Sequence, residues 1–288
     1  MSKIIILKTP QELQTYAKQV KNQPQNSLGL VPTMGALHRG HSSLIASSVN
    51  QNTHTIVSIF VNPAQFAPNE DLATYPRNLQ ADIALCEKLG ANAVFTPNAS
   101  DIYASQDEPN ISPPKSFAFV LEGFARPSHF GGVLQVVMKL FWLTCANRAY
   151  FGQKDAQQLL IIQKMVRDFF IPICIVPCPI VRDIDGLALS SRNVYLSAKE
   201  REVALFIPKA IESMRNIYTN LCKDSNKVDS MEVLNAGFNI LKNSGVKLEY
   251  LYACDYELKK ISTISPNKSI ILLAGFVGKT RLLDNLWL

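Results

Sequence analysis

The chain predicts an α/β protein: a Rossmann-like parallel sheet with helices on both faces, followed by a smaller C-terminal α+β lid domain. Three observations predict it. Up to about residue 180, short apolar runs alternate with amphipathic segments, as in strands joined by helical crossovers. The run Pro32-Thr33-Met34-Gly35-Ala36-Leu37-His38-Arg39-Gly40-His41 sets two imidazoles and two glycines where an apolar strand turns into a helix. After Pro177 and Pro179 the alternation gives way to long helical segments and then strands. These mark two domains, residues 1–180 and 181–288.

The elements follow in order. Strands are expected over residues 4–7, 27–31, 55–61, 93–95, 149–151 and 173–176, each a short apolar run. Thr9-Pro10-Gln11-Glu12 is a capping box with proline at the first helical position, and Leu13, Tyr16, Ala17 and Val20 give that helix one apolar face. Leu44, Ile45 and Val49 give the helix after His41 its apolar spacing. A helix over 79–89 ends at Gly90, a favourable left-handed cap, and others run over 132–143 and 155–169. Residues 97–115, rich in Pro, Ser, Asp and Asn, predict a flap or a disordered excursion. In the second domain, Ser197-Ala198-Lys199-Glu200 opens a long helix, a helix covers 231–242, and two strands, 247–254 and 269–276, follow. Right-handed crossovers bring the C-terminal ends of the parallel strands to one edge, where ligands bind.

Composition narrows the classes. With 288 residues the chain buries a substantial core and needs no covalent staples. At 47% hydrophobic and 18% charged it is a globular composition, and no apolar stretch approaches the roughly 20 residues of a membrane span. The opening Met1 to Leu7 reads as a short strand and not a signal peptide, so a cytoplasmic location and no membrane partner are expected. The six cysteines, Cys86, Cys145, Cys174, Cys178, Cys222 and Cys254, lie mostly in apolar sequence and read as reduced core thiols. Cys174 and Cys178 share a strand face, but no second Cys/His pair accompanies them for zinc. A net charge of +6 with dispersed lysines and arginines favours small acidic ligands over nucleic acid, which calls for a basic stripe.

Four segments combine polar residues with strand ends. His38-Arg39-Gly40-His41 stands at a helix N-terminus, where free N–H groups and the helix dipole attract an anion. It lacks the His-Glu-x-x-His spacing of a zinc protease, and taken alone it also fits a plain helix start with two half-exposed histidines. Phe60-Val61-Asn62-Pro63-Ala64-Gln65-Phe66 ends the third strand with amides that suit a small polar ligand, or forms an Asn-Pro turn. Nearby Asp71, Tyr75 and Arg77 lie in a loop able to face phosphates or a metal. Phe151-Gly152-Gln153-Lys154-Asp155 leads into a helix carrying Gln158 one turn on; Lys154 neutralises phosphate, and Asp155 caps the helix or binds a ribose or metal. Leu189-Ser190-Ser191-Arg192-Asn193 offers hydroxyls and a guanidinium just past the domain boundary. Gly278-Lys279-Thr280 imitates the end of a P-loop, but Leu273 stands where the earlier glycine is required.

Together, with Tyr75-Pro76-Arg77, Arg126-Pro127-Ser128-His129-Phe130, Gly132-Val133 and Thr280 to Asn285, these segments make the chain resemble, over essentially its full length, the pantothenate synthetases. These are the pantoate–β-alanine ligases of the HxGH nucleotidyltransferase superfamily. The resemblance implies ATP as substrate, Mg²⁺, a homodimer, and two steps. Pantoate attacks the α-phosphate of ATP to give pantoyl adenylate and pyrophosphate, and β-alanine then displaces AMP. It implies catalytic roles for His38, His41, Lys154, Ser190, Ser191 and Arg192. ATP would be held by Pro32, Met34, Gly40, His41, Gly152, Lys154, Asp155, Val181, Ser190 and Arg192, and pantoate by Met34, Asn62, Gln65 and Gln158. It leaves the metal ligands unassigned. The chain departs from the usual pattern at Gln153, Ser128 and Gln135, where Glu, Gly and Thr are expected; Gln153 still hydrogen-bonds but offers no carboxylate. Two other readings are an adenylyltransferase that keeps AMP in its product and a non-catalytic nucleotide- or RNA-binding module.

Overall fold

Six short runs rich in apolar and β-branched residues pair as one parallel sheet: β1 (Ile5–Leu7), β2 (Leu28–Thr33), β3 (His54–Ile59), β4 (Ala93–Phe95), β5 (Arg148–Gly152) and β6 (Cys174–Cys178). This computed structural model describes residues 3–68, 70, 72–105, 107–223 and 227–288, so Met1, Ser2 and Asp71 lie outside the described residues. The strand order is β1-β4-β3-β2-β5-β6. From β2 the chain steps one way to β3 and β4, then returns to the far side of β2 as β5. The winding therefore reverses between β2 and β5, and the crevice beyond their C-terminal ends is the ligand position of such sheets.

Helices α1 (Pro10–Lys21), α2 (Arg39–Gln51) and α3 (Leu79–Lys88) are the first three crossovers. Thr9 caps α1 with the expected box: its hydroxyl accepts from Glu12 N–H, and Glu12 accepts from Thr9 N–H. Leu44 and Ile45 of α2 pack with Val31, Val57, Val94 and Tyr150 on one face of the sheet. Three single turns, α4 (Ala99–Ile102), α5 (Lys115–Ala118) and α6 (Glu122–Ala125), precede the long α7 (His129–Thr144). Helices α1 and α7 pack on each other and on β2, covering the opposite face where Leu28 and Leu30 point. Helix α8 (Ala156–Asp168) joins β5 to β6.

The chain divides into two compact units. The first runs to Gln153 and resumes over Gln158–Pro179; the second takes Lys154–Gln157 and Ile180–Leu288. In the second, α9 (Ala198–Ala204) is boxed by Ser197 and Glu200 and is followed at once by α10 (Phe206–Leu221). The single long helix expected here is broken because Pro208 has no N–H to give the Ala204 carbonyl. After β7 (Val228–Asp229) comes α11 (Ser230–Leu241). Strand β8 (Lys247–Asp255) pairs with β10 (Ser269–Val277), and β9 (Thr263–Ile264) pairs with β7. A further strand, β11 (Thr280–Trp287), completes the antiparallel order β11-β10-β8.

That last strand corrects the expectation of two. Gly278 and Lys279 form the two-residue loop of a β10–β11 hairpin, with Val277 facing Thr280 and Gly278 at φ +56°. The false P-loop fragment is thus a hairpin turn. A second correction concerns the thiols: Cys86, Cys178 and Cys254 are buried, but Cys145 and Cys174 are exposed and Cys222 is half-buried. Residues 97–115 are tied down at several points among those described. Lys139 on α7 donates to Ile102 O and pairs with Glu108 at 2.5 Å, and its ammonium lies 4.4 Å over the Tyr103 ring. Gln135 clamps the same segment from both sides, donating to Pro109 O and accepting from Ile111 N–H. The shorter threonine expected there cannot span both groups.

Buried Asp284 on β11 receives Arg182 in a bidentate pair at 2.6 and 2.8 Å. Replacing it with alanine leaves a largely desolvated guanidinium without its anion. Asp284→Ala is therefore expected to lower stability by about 2–3 kcal/mol, read from urea unfolding, whereas an exposed substitution such as Lys279→Ala stays within about 0.5 kcal/mol.

Candidate active site

The chain leaves β2 at Thr33 and reaches α2 through a turn in which Gly35 (φ +84°) and Ala36 (φ +50°) are both left-handed. Extended His38 then caps α2, and this cap is made by the two histidines. His38 Nδ1 accepts the Gly40 N–H at 3.1 Å, and His41 Nδ1 accepts the His38 N–H at 3.3 Å. The rings stand 4.1 Å apart between centroids. Because each Nδ1 is an acceptor, the neutral rings carry their protons on Nε2. The motif therefore presents two N–H donors of fixed tautomer at the positive end of a helix, at the sheet's point of reversal.

Beside it, the chain beyond β3 reaches Asn62, which caps the 3-10 turn Pro63–Gln65. The Asn62 amide is saturated. Its Nδ2 donates to Gln65 Oε1 (3.2 Å) and Gly132 O (3.0 Å), and its Oδ1 accepts from Ala64 N–H and from the Tyr103 hydroxyl at 2.7 Å. Burial, reinforced by Glu108, pushes the Tyr103 phenol up to about 12, so that hydroxyl stays a donor. Gln65 in turn donates to Met34 Sδ. The structure thus brings Met34, Asn62 and Gln65 into one connected group. Gly132 is what lets α7 approach: a Cβ there would run into the Ala64 carbonyl and Gln65 N.

The Gln65 main chain is held from behind. His129 Nδ1 meets Gln65 O at 2.9 Å while Arg126 reaches His129 Nε2 at 3.2 Å and forms a bidentate pair with Glu70 at 2.6 and 2.7 Å. Burial, then the nearby Arg126, lowers His129 to about 4, so it is neutral and donates from Nδ1. At Glu70 desolvation pushes the carboxyl up, but the hydrogen bond and charge of Arg126, with His129 and the Ala67 main chain, together hold it below the usual range. Tyr75 is buried edge-on against Phe66 and Arg77 donates to Leu72 O. Gly152 closes β5, with the Gln153 N–H bound to Cys178 O, and half-buried Gln158 lies in the first turn of α8. Pro32, half-buried, pairs in register with Ser58.

The second unit holds the remaining candidates. Lys154 pairs with Asp155 at 3.2 Å, and its carbonyl accepts from Asn285 Nδ2 of β11 at 2.8 Å. Val181 starts a small hairpin, accepting from Leu189 N–H, that turns at Gly186 (φ +91°). Arg201 braces the hairpin through Asp183 and Asp185, both at 2.7 Å. Ser190 caps the 3-10 turn Ser191–Tyr195 by accepting the Arg192 N–H, and Asn193 donates to Ala188 O.

Several supporting residues escape sequence reasoning. Tyr103, Asp82 and His129 meet partners 41, 46 and 64 positions away, at Asn62, Ala36 and Gln65. Glu70 meets Arg126 across 56 positions. The one signal in the chain is the Arg126-Pro127-Ser128-His129 pattern, which marks two of these residues without saying what they hold.

A Rossmann-like sheet with a His-x-Gly-His helix start at its point of reversal defines the class: an α/β protein of nucleotide-handling architecture. The chain belongs to the pantoate-beta-alanine ligase family, whose sequence model matches residues 5–287. It is 51% identical over 284 residues to the pantothenate synthetase of Helicobacter pylori strain G27, covering 98% of this chain and 99% of that one. In structure it resembles the pantothenate synthetase of Thermus thermophilus, with a TM-score of 0.89, 37% identity and coverage of 98% and 99%. It also resembles the Francisella tularensis pantoate-beta-alanine ligase complexed with beta-gamma ATP and beta-alanine, with a TM-score of 0.80, 38% identity and coverage of 99% and 97%.

The buried neutral His129 ties stability to pH. Its folded value, about 4, lies below the ordinary 6.5, so between those limits the unfolded chain binds the extra proton and stability falls as pH is lowered. About 3 kcal/mol is expected to be lost from pH 7 to pH 4 through this group, and His129→Gln should flatten that part of the unfolding profile.

Proposed function

We propose that this chain condenses pantoate with β-alanine at the expense of ATP, through a pantoyl adenylate, releasing pyrophosphate and AMP. Family membership over nearly the whole chain, together with the paired Nε2–H donors at the head of α2, carries this reading. In the first step a pantoate carboxylate oxygen forms a bond to the α-phosphorus and the bond to the bridging α–β oxygen breaks. Negative charge builds on the departing pyrophosphate and on the pentacoordinate phosphoryl oxygens. His38 and His41 stabilise that charge as donors, with Lys154, Ser190, Ser191 and Arg192 adding cations and hydroxyls, and no covalent enzyme intermediate forms. In the second step the β-alanine nitrogen bonds to the acyl carbon, the carbon–oxygen bond to AMP breaks, and the amine loses a proton.

Gln65 and Gln158 hold pantoate so that its carboxylate meets the α-phosphate in line, over a floor that includes Met34, and saturated Asn62 orients Gln65. Pro32, Met34, Gly40, Gly152, Asp155 and Val181 line the ATP position. Among the described residues no group of three or more His, Cys, Asp or Glu side chains gathers to hold a metal. Mg²⁺ would be brought by the triphosphate, as this ion commonly is, and would supply charge neutralisation there beside Lys154 and Arg192. The second unit acts as a lid, and the working form is a homodimer in the cytoplasm. Six free thiols fit a reducing compartment, and no helix among the described residues is long and apolar enough to cross a membrane.

Incubation with ATP, Mg²⁺ and pantoate should yield AMP only when β-alanine is added; mass spectrometry showing a stable adenylylated product instead favours the AMP-retaining transferase. His41→Ala and Lys154→Ala should each slow adenylate formation by about 10²-fold, near 2.7 kcal/mol, in single-turnover measurements on folded protein. Gln65→Ala should raise the KM for pantoate with ATP binding little changed. Equal weakening of both would assign Gln65 a structural role, and light scattering tests the dimer.

A further inference from the structure

We infer that Asp82 is a positioning residue for the histidine pair, an inference that rests on the catalytic reading of His38 and His41. The turn from β2 to α2 passes through two successive left-handed residues, one of them alanine, a conformation that L side chains disfavour. Something outside the turn must hold it. Asp82, 4% exposed, reaches it from the first turn of α3 with both carboxylate oxygens: Oδ2 accepts the Ala36 N–H at 2.9 Å and Oδ1 accepts the Leu37 N–H at 2.8 Å. Two charge-assisted bonds to neighbouring amides fix the orientation of both peptide planes. Leu37 is followed directly by His38, whose own N–H is the one that His41 Nδ1 accepts.

The carboxylate's seat is built on both sides. Gly35 has no Cβ, and one built there would stand 3.0 Å from Asp82 Oδ2 and 3.2 Å from Ile59 Cγ2. Asn78 caps α3 by accepting the Ala81 N–H, and the N-terminal dipole of that helix favours a negative charge in its first turn. Helix α3 also packs on α2 itself. Asp82 therefore ties the turn that precedes the histidines to a neighbour of the helix that carries them. Asparagine would keep the shape but offer one oxygen to two N–H groups, setting its NH₂ against the other.

The test uses the full-length protein with ¹⁵N-labelled histidine, in the wild type, Asp82→Asn and His41→Ala. At roughly pH 8, where histidine is ordinarily neutral, the wild-type His38 and His41 rings should show the Nε2–H tautomer. In Asp82→Asn both should move toward a mixture of tautomers, and kcat for adenylate formation should fall about 10- to 100-fold while the pantoate KM changes little. A purely structural role would leave the ring resonances of a folded variant in place. Unchanged resonances and unchanged kcat in folded Asp82→Asn, with His41→Ala inactive, overturn the positioning role alone. Near wild-type adenylate formation in His41→Ala overturns the catalytic reading beneath it. Should Asp82→Asn fail to fold, amide exchange in the wild type decides. Protection of the Ala36 and Leu37 N–H groups supports the clamp, and exchange as fast as in exposed loops overturns it.

Discussion

The chain must leave a buried central strand, reverse direction within a few residues, and start a helix with both histidines aimed consistently. That constraint governs the architecture of the first unit. β2 has neighbours on both edges and helices on both faces, so its end cannot shift without disturbing the core. The turn after it spends two residues in left-handed conformation, and the unfavourable backbone is offset by a buried carboxylate on one side and a two-histidine cap on the other. The proposed chemistry and the observed capping thus fall on the same rings. The Nδ1 positions satisfy the helix start and, by doing so, leave the proton of each neutral ring on Nε2.

A similar economy holds under Gln65. Its side chain is oriented by Asn62 and its main chain by His129, and each of these is held by a partner from a different element. Tyr103 brings in the segment after β4, Gly132 brings in α7, and the Arg126–Glu70 pair closes the far side. Polar groups withdrawn from water in this way are costly if one partner is missing and rigid when all are present. Rigidity suits the substrate-positioning role proposed for Gln65, because in-line placement of carboxylate and phosphate would supply much of the rate. The segment after β4, rich in turn-forming residues, is drawn into this order by Lys139 and Gln135 on α7.

Much of the fold is legible in the chain itself. The apolar runs fall on all six parallel strands, and Thr9-Pro10-Gln11-Glu12 and Ser197 to Glu200 mark helix starts that form as boxed. Such signals are local: strand and helix periodicity and caps act within a few residues. Legibility fails where distant groups decide. Half the positions of β11 are polar and hide it as a strand, yet one of them, Asp284, is bound by Arg182 from 102 residues earlier. The break at Leu205 does have a local signal in Pro208, obscured by the continuous apolar spacing around it.

The sequence by itself determined the α/β class, the order of its elements, the His-x-Gly-His turn and the family likeness, since each depends on residue type at short spacing. Only the tertiary structure decided that both imidazoles present Nε2–H, that Asn62 is saturated, and that Asp82, His129 and Tyr103 stand behind the residues proposed to bind substrate. These facts depend on which buried donor meets which acceptor once strands far apart in the chain lie side by side. Hydrogen bonds of that kind are set by packing, and no spacing along the chain encodes them.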